Sequence, residues 1–242
     1  MEDLKQLLSC LNAKSSLEDI KETFEKIANI LLLHTEIAIG ENIRYTLEEI
    51  EFYYYNKGVF EEDYHTCTYP RDCDACDFFW HYSGVDICFQ SYNDAFGGIL
   101  IRSLRKNIYN ADEGLIGGPM RCATDLANCS IKTGNKIKLI IHDNNIKTSS
   151  TPSKTIRQGI KADYEVLDGN IKTIKPVVEY CYYLPQENKW KRSKDDMHVL
   201  VEDKLTKKKS YVKKIRTDYY KDNPEDRVNN IQKALNNKKT LK

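Results

Sequence analysis

The sequence predicts an α+β fold, a single domain built on a curved, mostly antiparallel β-sheet with helices at both ends. Three observations carry that expectation. Apolar residues at Leu17, Ile20, Phe24, Ile27, Ile30 and Leu31 recur every three or four positions, the period of one helical face. β-Branched and aromatic runs then dominate from Ile37 to Leu184, and Asp222 to Leu235, with Pro224 early in it, reads as a terminal helix. The expected organisation is one domain over residues 1–185, N-terminal helices included, and a basic extension over 186–242 that ends in the terminal helix and packs on the same domain.

The first elements are helical. Met1 to Leu11 reads as a short helix beside a longer one from Leu17 to Leu33, which Ser15 and Ser16 precede as N-cap candidates and Glu18 and Asp19 suit through the positive end of the helix dipole. Strands are expected at Ile37 to Ile39 and Arg44 to Tyr55, joined by the turn Gly40-Glu-Asn42. Asn56 to Asp77 is polar, bears cysteines and is broken by Gly58 and Pro70, so it reads as a long functional loop. Val85 to Gln90 and Gly98 to Leu104 are expected to pair as a hairpin, with Tyr92 to Gly97 turning between them. The loop from Gly117 opens a short helix with Pro119 in its first turn. Further strands are expected at Lys136 to His142, Asp163 to Val166, Asn170 to Lys175 and Val177 to Leu184, with Asp168-Gly169 as a hairpin turn, and the segment after Trp190 reads as helical.

Composition narrows the classes. With 242 residues, 40% hydrophobic and 30% charged, the chain suits a globular protein with a real core, and no stretch approaches the roughly 18 apolar residues of a membrane span. The first residues lack a basic region followed by a long apolar run, so the expected compartment is the cytoplasm and the eight cysteines are expected to be reduced. The net charge of +1 is unevenly placed. Residues 1–66 carry 14 acids and 6 basic residues, 67–185 carry 13 and 14, and 186–242 carry 9 and 17. Such asymmetry points to an anionic partner for the C-terminal region, nucleic acid foremost, through Lys207, Lys208, Lys209, Lys213 and Lys214. A solvated lysine-rich surface is the plainer alternative.

The chemistry lies on the strands. Alternation places Ile50, Phe52 and Tyr54 on one face and Glu49, Glu51 and Tyr53 on the other. Arg102 interrupts the apolar run Ile99 to Leu104, and a guanidinium in a buried strand is costly unless it meets a carboxylate or a polar cavity. A Glu51–Arg102 pair satisfies both. Asp86, on a face with Cys88 and Gln90, is a second polar intrusion, and together these residues outline a polar pocket floored by the sheet. His65, Phe79 and Trp80 are candidate walls for a flat ligand, or plain packing under the loop. Cys67, Cys73 and Cys76, with His65 and His81 nearby, lack the paired spacing of a zinc module, so no metal or other cofactor is expected.

Five short blocks in order carry a resemblance: Glu49-Ile-Glu51-Phe-Tyr53, His65 in its loop, Ser83-Gly84-Val-Asp-Ile-Cys-Phe-Gln90, Ile99-Leu-Ile-Arg102-Ser-Leu104 and Gly118-Pro119-Met-Arg121-Cys. Over roughly residues 28–185 the chain resembles the alkyladenine (3-methyladenine) DNA glycosylase family. The resemblance implies an α+β domain that flips a damaged purine out of DNA and removes it without a metal or other cofactor. It implies that Glu51 activates water, that Arg102 helps hold it, and that Tyr53 and His65 stack on the base. Gln90 falls where the family has an asparagine at the pocket floor and Ser83 where it has the aromatic wedge, and Ser83 and Arg121 are implied to contact DNA. The partner implied is DNA, with no obligate protein partner. Two alternatives stand beside this reading: a protein that binds nucleic acid or a modified base without turnover, and a hydrolase of nucleosides, nucleotides or RNA.

Overall fold

The computed structural model describes residues 3–57, 70–108, 111–147, 151–155, 157, 162–167, 170–173, 180–184, 195–203 and 208–217. The fold is α+β, centred on a curved antiparallel sheet. By its internal contacts the chain divides into two units, Met1–Lys154 with Tyr180–Gln186, and Thr155–Glu179 with Glu187–Lys242.

The first unit begins with α1 (Leu4–Cys10) and α2 (Leu17–Leu33). Ser16 caps α2: its hydroxyl accepts from the Asp19 backbone N–H while the Asp19 carboxylate accepts from the Ser16 N–H. This reciprocal cap satisfies two N–H groups that no helical turn can reach. The apolar stripe of α2 packs on the sheet through Phe24, whose ring stacks on Phe52 at 4.3 Å and meets Tyr54, Phe89 and Tyr180 edge-on or tilted.

Nine strands form the sheet: β1 (Thr35–Ile39), β2 (Ile43–Asn56), β3 (Phe78–His81), β4 (Gly84–Cys88), β5 (Ala95–Ile108), β6 (Ala111–Gly117), β7 (Ile137–Ile141), β8 (Ser153–Thr155) and β11 (Cys181–Tyr183). Their order is β3-β4-β5-β2-β1-β7, with β6 on β5, and with β11 on β2 and β8. The 14-residue strands β2 and β5 are its spine, and each serves two partners on its outer edge. The expected hairpin forms, with Asp86 opposite Leu100. The helix expected after Gly117 is α3 (Pro119–Thr133), longer than the sequence suggested. Gly118 enters it at φ +99°, a conformation that favours glycine, and α3 adds Cys122, Ala123 and Leu126 to the core.

The second unit holds a four-stranded sheet, β10-β9-β12-β13, from β9 (Ala162–Leu167), β10 (Asn170–Thr173), β12 (Asp195–Asp203) and β13 (Lys208–Thr217). β9 and β12 run parallel and the other pairs antiparallel. This corrects the helical expectation after Trp190, where β12 and β13 lie. Their register places Asp203 opposite Lys208, Glu202 opposite Lys209 and Asp196 opposite Arg216, so oppositely charged positions face each other along the pair. The strands β3, β6 and β8 were also not anticipated. The terminal helix expected at Asp222 to Leu235, the turn at Asp168-Gly169, His65 and Lys207 lie outside the described residues.

Candidate functional site

The site is made where the pairing of β2 and β5 breaks step. The register runs from Ile43 opposite Ile108 to Leu47 opposite Leu104, and again from Ile50 opposite Ile101 to Asn56 opposite Ala95. Between them Glu49 pairs with Ser103, which leaves Glu48 as an extra residue on β2 and Arg102 as an extra residue on β5. Bulges of this kind re-aim side chains. Here they keep Tyr45 and Leu47 in the same core cluster as Ile50, Phe52 and Tyr54, and gather Glu48, Glu49, Arg102 and Ser103 on the opposite face.

Arg102 stands between two buried carboxylates. Its Nε lies 3.4 Å from Glu49 Oε1 and its Nη1 3.5 Å from Glu51 Oε2. Glu51 is 0% exposed and Arg102 7%, so each charge needs the other to offset its desolvation. The Tyr53 hydroxyl donates to Glu51 Oε2 at 2.8 Å. Ser103 Oγ donates to Glu49 Oε2 at 3.3 Å, and the Cys181 thiol, brought in by β11, donates to Glu49 Oε1 at 3.4 Å. Farther along the face, Glu48 pairs with Arg105 at 3.5 Å and with Lys147, whose ammonium also donates to Thr46 Oγ1.

A second polar cluster shares this face. Asp86, Leu100 and Glu51 are in register across β4, β5 and β2, which puts Asp86 two inter-strand spacings, roughly 10 Å, from Glu51. Asp86 Oδ2 accepts from Arg71 Nη1 at 2.7 Å, and its Oδ1 meets His81 Nε2 at 3.1 Å. The Arg71 guanidinium lies 4.4 Å from the centre of the Phe79 ring. Gly98 makes room for it: a Cβ there would fall 2.5 Å from Arg71 Nη1.

Of the residues expected from sequence, Glu51, Arg102 and Tyr53 come together as anticipated. Trp80 does not join them. It pairs with core residue Val85, whereas Phe79 pairs with Asp86, so alternation turns Phe79 toward the acidic face and leaves Trp80 on the other, 42% exposed. Gln90 lies beyond β4. Its amide bonds Asp74 and the Ala75 N–H while its own N–H donates to Leu8, which ties the 73–77 segment toward α1 rather than flooring the pocket. Ser83 sits in the β3–β4 turn against His81 Nδ1; beside it Tyr82 projects, 79% exposed. Arg121 is exposed in the first turn of α3, and Lys208, Lys209, Lys213 and Lys214 lie on β13. Sequence reasoning did not assign roles to Glu49, Ser103, Cys181 and Arg71. Only Glu49 had a local signal, its place two residues from Glu51.

Among the described residues, Glu49, Glu51 and Cys181 form the one set of three potential metal ligands with donor atoms within 4.8 Å of one another. The Arg102 guanidinium already stands against both carboxylates, so the set is poorly suited to a further cation. The described cysteines are free thiols. Burial pushes Cys88 and Cys122 each up to about 12, which keeps them protonated and poor as nucleophiles. No helix among the described residues is long and apolar enough to cross a membrane. No family model, curated protein or solved structure matches this chain.

Proposed function

We propose that the protein is a cytoplasmic DNA glycosylase acting in base-excision repair, which hydrolyses the N-glycosidic bond of a damaged or modified base flipped out of DNA. The observation that carries the reading is Glu51 held between the Arg102 guanidinium and the Tyr53 hydroxyl on the face of the sheet. Glu51 takes a proton from water as the water oxygen attacks the anomeric carbon. The bond from that carbon to the base nitrogen breaks, and its electron pair leaves with the base, which is protonated from solvent or from Glu51. The carboxylate also stabilises the oxocarbenium-like sugar, and Arg102 orients the water. The resemblance assigns the stacking walls to Tyr53 and His65, and Phe79 is the β3 aromatic on the same face. Tyr82, exposed beside Ser83, is the aromatic available to enter the duplex where the base has left.

A second reading, a modified-base-binding protein without turnover, draws on the complete burial of Glu51. One assay separates the two. Duplex oligonucleotides carrying alkylated or deaminated purines are incubated with the protein and scored for abasic sites, with Glu51→Gln as the paired variant. Glycosylase action requires release that falls at least about a hundredfold in the variant, the scale of a lost general base. Selective binding of the modified duplex with no release by either protein would establish the second reading, and release unchanged in Glu51→Gln would remove Glu51 from the mechanism.

A further inference from the structure

We infer that Ser83, His81 and Asp86 form a second reactive centre, in which Ser83 is the nucleophile of an acyl-transfer reaction on small carboxylic esters. Ser83 Oγ lies 3.1 Å from His81 Nδ1, and His81 Nε2 lies 3.1 Å from Asp86 Oδ1. A hydroxyl, an imidazole and a buried carboxylate in that succession are what serine hydrolases of unrelated folds share, recognised by geometry and not by place in the chain. Here one hairpin supplies all three. The two-residue turn Tyr82-Ser83 joins β3 to β4 with His81 opposite Gly84 and Phe79 opposite Asp86, so His81 and Asp86 are diagonal neighbours on one face.

The partners of the ring set its proton. Asp86 accepts from Arg71 Nη1 through Oδ2 and offers Oδ1 to the imidazole. An ionised carboxylate only accepts, so Nε2 carries the proton of the neutral ring and Nδ1 presents its lone pair to the Ser83 hydroxyl. The ring also stacks on Phe79, with centres 5.9 Å apart and planes 24° from parallel. The His81 side chain is 15% exposed and Ser83 half-buried, so the pair is open to a substrate carbonyl. The turn sits beside the start of α3: a Cβ on Gly84 would fall 3.0 Å from Pro119 Cβ and 3.5 Å from the Pro119 carbonyl carbon. No side chain caps this helix, so the Met120 and Arg121 N–H groups are the backbone donors brought near the turn for an oxyanion. Exposed Tyr82 and Met120 add apolar surface beside them, which suits a short apolar acyl group.

In the reaction Ser83 Oγ bonds to the carbonyl carbon while its proton moves to His81 Nδ1. The bond from that carbon to the alcohol oxygen breaks, and the alcohol leaves with the proton from Nδ1. Water then attacks the acyl-serine and gives a proton to Nδ1; the carbon–Oγ bond breaks, Oγ recovers the proton, and a carboxylic acid is released.

The test uses the full chain and no nucleic acid, so its result is separate from that of the base-release assay. Hydrolysis of p-nitrophenyl butyrate is expected to fall at least about a hundredfold in Ser83→Ala and in His81→Gln, the scale of a lost nucleophile or base. A fluorophosphonate, which loses fluoride to Ser83 Oγ, is expected to label the parent on the peptide that bears Ser83. Asp86 is a positioning residue: Asp86→Asn is expected to lower kcat with KM within about twofold, because the ring loses its tautomer and not its substrate surface. Equal ester hydrolysis in folded Ser83→Ala overturns the inference, as does a parent that neither hydrolyses the ester nor takes the label at Ser83. A raised KM with unchanged kcat in Asp86→Asn removes Asp86 from the arrangement. Should that buried variant fail to fold, Ser83→Ala, which lies in a turn outside the core, and the label decide between the same outcomes.

Discussion

Replacing Gly98 by alanine tests the claim that this position exists to let an ion pair lie flat on the sheet. The added methyl would fall 2.5 Å from Arg71 Nη1, 2.6 Å from Asp86 Oδ2 and 2.7 Å from Asp86 Cβ. The end of Arg71 can swing away, but Asp86 Cβ is fixed by the pairing of β4 with β5. Either the strand shifts or the pair opens. Overpacking of a tight site costs roughly 1–3 kcal/mol, and opening a buried ion pair about 3–5 kcal/mol. Because the side chains of Arg71 and Asp86 are only 2% and 4% exposed, little solvent is on hand to replace the lost contact. The expected destabilisation is therefore about 3 kcal/mol, equivalent to a fall in Tm of roughly 6–12 °C for a chain of this size. Urea unfolding followed by circular dichroism measures it. Gly117→Ala is the control, since its methyl would have only Ser103 Oγ at 4.0 Å. A double variant with Arg71→Ala should lose less than the sum of the single changes. Gly98→Ala as stable as Gly117→Ala would refute the reasoning.

Stability should also fall in alkali. The thiols of Cys88 and Cys122 are held up to about 12 by burial, so the folded chain keeps protons that an unfolded thiol releases near 9. Their contribution is complete below pH 9 and is lost as pH rises toward 12, at up to about 1.4 kcal/mol per unit for each thiol. Burial also raises the Tyr45 and Tyr54 hydroxyls, which adds to the slope above pH 10. Urea midpoints that do not decline between pH 9 and 11 would contradict this, as would alkylation of Cys88 or Cys122 at pH 8 as fast as exposed Cys10. Tyr82→Ala, at so exposed a position, should leave the fold intact yet weaken binding to a modified duplex by about fivefold or more, the scale of one stacking contact, while sparing turnover of a single strand. Equal duplex affinity in gel-shift titrations would exclude Tyr82 from opening DNA.

How far the sequence could be read follows from where each signal is local. The stripe and cap of α2 need only its own residues, and both are as the periodicity and Ser16 indicate. The alternation from Glu49 to Tyr55 is likewise intact, which is why Glu51, Tyr53 and Arg102 could be placed together from sequence. Extended toward Tyr45, the same rule fails: strict alternation puts Tyr45 and Leu47 on the face of Glu49 and Glu51, whereas both are core. The extra residues on β2 and β5 have no turn-like signature, because neither Glu48 nor Arg102 is a glycine and each is defined only by its partner strand. Trp80 was misplaced for a related reason. β3 is a four-residue edge strand with aromatics on both faces, so only its register with β4 tells which one faces Asp86. Cys181 and Arg71 reach the site through contacts with residues 132 and 15 positions away. On β13, lysines and β-branched residues fit either period, and the decisive fact, acids opposite Lys208, Lys209 and Arg216, belongs to another strand. The two bulges compensate each other: from Leu47 to Ile50 and from Leu104 to Ile101 the chains advance equally, so the ladder resumes in register after one disturbed step. A single bulge would have shifted every pair beyond it by one residue. Paired, they confine the disturbance to Glu48, Glu49, Arg102 and Ser103, among them the arginine that pairs with both Glu49 and Glu51.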